Sequence, residues 1–107
     1  MAMTPEAKVK KKVAETLKKL GVYYFYPVTG GYGKSGVPDI VGCYNGKFFG
    51  IECKAGKGKT TALQDMNLRQ IAIAGGVAAV VNEENLHTVA DILNEREVDE
   101  RQLAFDF

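Results

Sequence analysis

The chain has 107 residues, 46% hydrophobic and 25% charged, which suits one domain with a modest core and excludes a multidomain machine. No run approaches the roughly 18 consecutive apolar residues of a membrane span. The start, Met1-Ala2-Met3-Thr4-Pro5, lacks the apolar segment of a secretory signal, so the expected location is cytoplasmic. Net charge is +1, yet residues 1–81 hold +7 (12 basic against 5 acidic) and residues 82–107 hold −6 (2 against 8). A basic body suits a polyanion such as nucleic acid. Taken alone, Lys10-Lys11-Lys12 reads as a solvated helix face.

In chain order, Thr4-Pro5-Glu6 is a helix start, with Thr as N-cap, Pro at the first helical position and an acid in the first turn. Val9, Val13, Leu17 and Leu20 follow at helical spacing, and Gly21 ends the helix. Residues 22–28 (VYYFYPV) are rich in strand formers, with Pro27 marking the end of the ladder. Core packing and stacking on bases are both open to the tyrosines of this run. Residues 29–36 hold four glycines and read as a loop. Residues 37–44 and 47–54 are apolar runs flanking Asn45-Gly46, the strongest short-range hairpin signal. A basic glycine loop covers residues 55–59, and a second helix covers 61–74 with Gln64, Leu68 and Ile71 on one stripe. Gly75-Gly76 ends that helix. Residues 77–81 (VAAVV) form a short buried strand, and residues 84–95 a third helix. The order is α-β-β-β-α-β-α, a mixed α/β domain with a β-sheet flanked by helices. It spans residues 1–95, and residues 96–107 form an acidic C-terminal tail.

The hairpin can be used quantitatively. With a two-residue turn at Asn45-Gly46, facing residue numbers sum to 91, which sets Asp39 opposite Glu52 with Cβ atoms about 4.5–5.5 Å apart. Like charges so placed repel, and a divalent cation reverses the sign of that interaction. Lys54, two residues beyond Glu52, projects from the same face. Two solvated strand-end acids neutralised by Lys54 are the bland alternative, but acids are depleted in strands. In this register Cys43 shares the Asp39 face and Cys53 points to the other, so the two are expected as free thiols. His87, the single histidine, is expected on the surface of the third helix.

Gly36-Val37-Pro38-Asp39-Ile40 and Gly50-Ile51-Glu52-Cys53-Lys54 resemble the PD-(D/E)xK nuclease signature. With the basic glycine loop and a following helix bearing Gln64, the pattern is similar to the VRR-NUC (virus-type replication-repair nuclease) domain in its stand-alone phage or prophage form. The resemblance covers roughly Thr4 to Leu93. It implies a restriction-endonuclease-like fold and an endonuclease that hydrolyses DNA phosphodiesters with Mg²⁺ or Mn²⁺. Asp39, Glu52 and the Cys53 backbone carbonyl would be metal ligands, one metal or two being open. Lys54 would activate the attacking water and stabilise phosphate charge. Glu6 matches the family's acid on the first helix, reaching the metal through water. It also extends the inward stripe of Val9 and Val13, and a first-turn acid favours the helix dipole in either case. Gln64 matches the family's glutamine, but Thr61-Ala62-Leu63-Gln64 also fits a capping box, and one side chain is not expected to serve both roles easily. Lys57 and Lys59, and Lys34 and Ser35 before Gly36, are candidate contacts to the DNA backbone, with solvated loop residues as the alternative.

Two other functions compete. A nucleic-acid-binding module with a decayed site would have lost one of Glu6, Asp39, Glu52, Lys54 or Gln64, all of which are present. A small restriction-type endonuclease would need a segment for base readout, and 107 residues leave no room for one. Structure-selective cutting of branched DNA, as by a junction-resolving or repair nuclease, is therefore expected. One small domain offers one site, so cutting two strands points to a homodimer. The tail Gln102-Leu103-Ala104-Phe105-Asp106-Phe107 either folds back or resembles peptides that dock on bacterial sliding clamps.

Overall fold

Thr4 and Pro5 start the first helix as the sequence requires. The Thr4 hydroxyl accepts the Ala7 N–H at 3.1 Å, and helix α1 runs Pro5–Lys19. A computed structural model describes residues 3–28 and 33–94 of the chain. Val9, Val13 and Leu17 are buried along one stripe of α1. Each such burial contributes about 1.5–3 kcal/mol, against about 0.2–0.5 kcal/mol for each like-charge pair on the lysine face, so the apolar stripe decides the helix.

Four strands follow in spatial order β1-β2-β3-β4: Tyr23–Phe25, Ile40–Tyr44, Lys47–Cys53 and Val77–Val81. β1 and β2 are antiparallel, as are β2 and β3, and β3 and β4 are parallel. The parallel pair needs a crossover, which helix α2 (Ala62–Ile73) supplies. After β4 come a 3-10 turn at Leu86–Thr88 and helix α3 (Val89–Asn94). The chain is therefore an α/β domain of order α-β-β-β-α-β-α, consistent with a restriction-endonuclease-like fold. Among the described residues no helix is long and apolar enough to cross a membrane.

The sheet has two unequal faces. Ile40, Phe49, Ile51, Cys53, Ala79 and Val81 pack with α1 and α3 in the main core. On the other face Leu68 and Ala72 of α2 cover Ala78 and Val80 in a smaller one. Both cysteines are free, Cys43 exposed and Cys53 buried, as the register requires.

The hairpin register holds: Tyr44 faces Lys47 and Ile40 faces Ile51, each pair summing to 91. Asn45 and Gly46 have φ of 53° and 81°, the left-handed values of a type I′ turn. The ladder stops at Ile40, however, so β2 does not begin at residue 37 and Asp39 is not paired with Glu52 in the ladder. Pro38 offers no N–H and Gly36 turns the chain at φ 76°. The alternation of an antiparallel ladder would give the Cys53 N–H to Pro38. The Asp39 carboxylate takes it instead, at 2.9 Å.

Two other expectations are corrected. β1 covers three residues, not 22–28. The third helix does not start at 84, because the Asn82 side chain accepts the N–H groups of Glu84 and Asn85 while Asn85 returns a bond to the Asn82 N–H. Asparagine side chains thus hold this segment out of the helix until Leu86. The tail, with Gln102 to Phe107, lies outside the described residues.

Candidate active site

Four elements converge at one end of the sheet. Asp39 precedes β2, Glu52 lies near the end of the β3 ladder and Lys54 just beyond it, and Glu6 and Gln64 lie in the first turns of α1 and α2. The C-terminal end of a parallel pair beside a helix N-terminus is the usual ligand position of α/β sheets. Both helix dipoles there favour negative charge.

Glu52 is the centre. Its residue is 2% exposed and stands opposite Val80 of β4 in the ladder. Oε2 accepts a hydrogen bond from Gln64 Nε2 at 3.0 Å and lies 3.4 Å from Lys54 Nζ. Lys54 Nζ also lies 3.7 Å from Glu6 Oε1, so the lysine bridges a buried and an exposed acid. Glu52 Oε1 is buried and has no hydrogen-bond partner among the described residues. Burial, and next the Asp39 charge, push the Glu52 carboxyl up to about 7 against the pull of Lys54. Burial likewise pushes the Cys53 thiol up to about 12, which keeps it protonated and unsuited to act as a nucleophile or thiolate ligand.

Gln64 serves both of the roles that were expected to exclude each other. Its Oε1 accepts the Thr61 N–H at 2.9 Å, and its N–H donates to the Thr61 hydroxyl at 3.2 Å. An amide has two ends, and the capping box uses only the oxygen. The Nε2 is left to donate to Glu52. Thr61 thereby fixes which way the amide points.

All five predicted residues, Glu6, Asp39, Glu52, Lys54 and Gln64, are brought together. Glu6 enters through Lys54, with an ion pair and no hydrogen bond to Asp39 or Glu52. Lys57 and Lys59 are exposed in the glycine loop, whose Gly56 N–H donates to both Glu83 carboxylate oxygens at 2.9 and 3.2 Å. Lys34 is also exposed and donates to Gln70 Oε1 at 2.6 Å, and exposed Ser35 offers its carbonyl to Asn67 Nδ2 at 3.0 Å. His87 is exposed.

Asn67 escaped sequence reasoning. It is 4% exposed and its Nδ2 bonds the carbonyls of Ser35 and Leu63, tying the loop before Asp39 to α2. Gly36 permits that approach, since an added Cβ would lie 2.7 Å from Leu63 Cγ. The signal was its place beside Leu68 on the buried stripe of α2, where a polar side chain needs partners.

Among the described residues no group of three or more His, Cys, Asp or Glu side chains is gathered to hold a metal ion. The available donors are the carboxylates of Asp39 and Glu52 and the Cys53 carbonyl, an all-oxygen set of the kind hard cations take. The buried, unpartnered Oε1 of Glu52 fits such an ion. No protein-family model matches the chain, and no curated protein matches it either.

Proposed function

We propose that the chain is a Mg²⁺- or Mn²⁺-dependent endonuclease that hydrolyses phosphodiester bonds in branched DNA, as a junction-resolving or repair enzyme of the VRR-NUC kind. The observation that carries this reading is the Glu52 carboxylate, sealed from water with one oxygen unpaired, beside a second acid and a lysine. Such an arrangement is costly in a bare sheet and useful around a cation.

Asp39, Glu52 and the Cys53 carbonyl would hold the metal. When bound, the ion lowers the pKa of water and polarises a phosphoryl oxygen. Lys54 sits where its ammonium can hold the attacking water or donate to a phosphate oxygen, and Glu6 and Glu52 together aim it. Gln64, locked by Thr61, holds Glu52 Oε2 and would leave Oε1 to the metal. Lys57, Lys59, Lys34 and Ser35 would meet the DNA backbone, positioning rather than reading sequence. In the cytoplasm such an enzyme would act as a homodimer, one site per strand, with Gln102 to Phe107 as a docking segment for a bacterial sliding clamp.

The test of substrate is a panel of a four-way junction, a flap and a plain duplex, cut in Mg²⁺ and compared with the protein's sedimentation. The expected result is a dimer that incises the junction or flap near the branch. Equal cutting along plain duplex, by a monomer, contradicts the structure-selective reading.

A further inference from the structure

A second feature lies beside the site and takes no part in holding the metal. A groove of about 320 Å³ runs between α1 and β1, walled by Ala7, Lys10, Lys11 and Lys18 on the helix and by Tyr24 and Tyr26 on the strand side. Tyr26 is 45% exposed, and the Lys10 ammonium lies 4.7 Å from its ring centroid. Tyr24 meets Tyr26 edge to face, with centroids 6.1 Å apart, and so braces it. Glu15 is the one acid on this wall among the described residues.

The groove leads into the site. Ala7 adjoins Glu6 in the first turn of α1. Lys10, one turn after Glu6 on the same face of the helix, carries the wall of the groove up to that acid. Ala7, Lys11 and Lys18 fall on one stripe of α1, and at 1.5 Å per residue they span about 16 Å. That length matches a few nucleotides of a strand leaving the site.

We infer that this groove binds an unpaired DNA strand, with a base stacked at Tyr26 and phosphates on Lys10, Lys11 and Lys18. The aromatic ring decides against paired DNA, because a base inside a duplex has its faces covered and only an unpaired one can stack on a side chain. The lysines supply the charge complementarity that an apolar peptide would not use. The inference deepens the nuclease reading, since a branch is where duplex meets unpaired strand, and it rests on that reading for its purpose.

The experiment measures binding in EDTA of a short fluorescein-labelled oligothymidylate and of a blunt duplex, by anisotropy at low salt. Tyr26→Ala should weaken oligothymidylate binding about 10-fold and leave duplex binding unchanged. Tyr26→Phe should bind as the wild type does, and so should Tyr23→Ala, whose ring lies on the other side of β1. Lys11→Glu guards against a folding artefact, because Lys11 is exposed on α1, and it should also weaken oligothymidylate binding. Oligothymidylate binding unaffected by Tyr26→Ala and Lys11→Glu overturns the inference. Equal loss for duplex and single strand overturns it as well. No cleavage enters this assay, so its failure leaves the metal site standing. Absence of Mg²⁺-dependent cutting beside a Tyr26-dependent affinity would sink the nuclease reading alone.

Discussion

Glu52→Gln is expected to raise the melting temperature of the metal-free protein above pH 7, and to lower DNA cleavage in Mg²⁺ by about three orders of magnitude. The stability effect follows from linkage. The folded state holds the Glu52 proton up to about pH 7, whereas the unfolded chain releases it near 4.5. Between those values the folded state binds more protons, so stability falls as pH rises through the window and is lowest above it. The amide cannot ionise, so the variant should lack this decline. It keeps the shape that Gln64 holds and loses the charge that a cation needs, which accounts for the catalytic loss at several kcal/mol of metal chemistry. Thermal melts from pH 5 to pH 8 in chelator check the first part. A variant that melts below the wild type at pH 8, with the same pH slope, would show that Lys54 more than repays the burial of the charge.

Lys54→Met should separate chemistry from binding. Methionine keeps much of the apolar stem and removes the ammonium that lies 3.4 Å from Glu52 and 3.7 Å from Glu6. Removing one charged donor from a transition-state site costs about 10²–10³ in rate. Lysine cannot ligate while protonated, so Mn²⁺ affinity by calorimetry should not weaken at a pH above the titration of Glu52, where its carboxylate needs no proton displaced. Without Lys54, Glu52 loses the neighbour that pulls its carboxyl down, so the metal-free fall in stability should extend to higher pH. Cleavage at the wild-type rate would remove Lys54 from the chemistry.

Most of the architecture was legible because local rules and tertiary packing agreed. Thr4-Pro5 at one helix, Thr61 at another and Asn45-Gly46 between strands each satisfy a backbone requirement that few residues meet. The hairpin arithmetic then placed Glu52 and Cys53 on opposite faces, which the burial of Cys53 in the main core and the Gln64 bond to Glu52 bear out. It failed by one pair, at Asp39. A side chain replaced a backbone acceptor there, and pairing rules do not count side chains. The third helix began late for the same reason, with Asn82 and Asn85 competing for backbone donors. The double use of Gln64 is not legible in the sequence, because residue spacing counts one side chain while the two roles use different atoms of its amide. Asn67 shows in the sequence only as a polar residue beside Leu68 on the buried stripe, and its partner in the loop, the Ser35 carbonyl, is set by tertiary packing.

The most direct measurement is cleavage of a four-way junction by the wild type and Asp39→Ala, in Mg²⁺ and in EDTA, with junction binding followed in Ca²⁺. Asp39 lies beside Glu52 and its carboxylate accepts the Cys53 N–H, so its removal takes away one candidate ligand and loosens the backbone that presents another, the Cys53 carbonyl. The account predicts cutting by the wild type in Mg²⁺ only, no cutting by Asp39→Ala, and similar junction affinity for both. Full activity in EDTA, wild-type cutting by Asp39→Ala, or no cutting by the wild type in either Mg²⁺ or Mn²⁺ would contradict it.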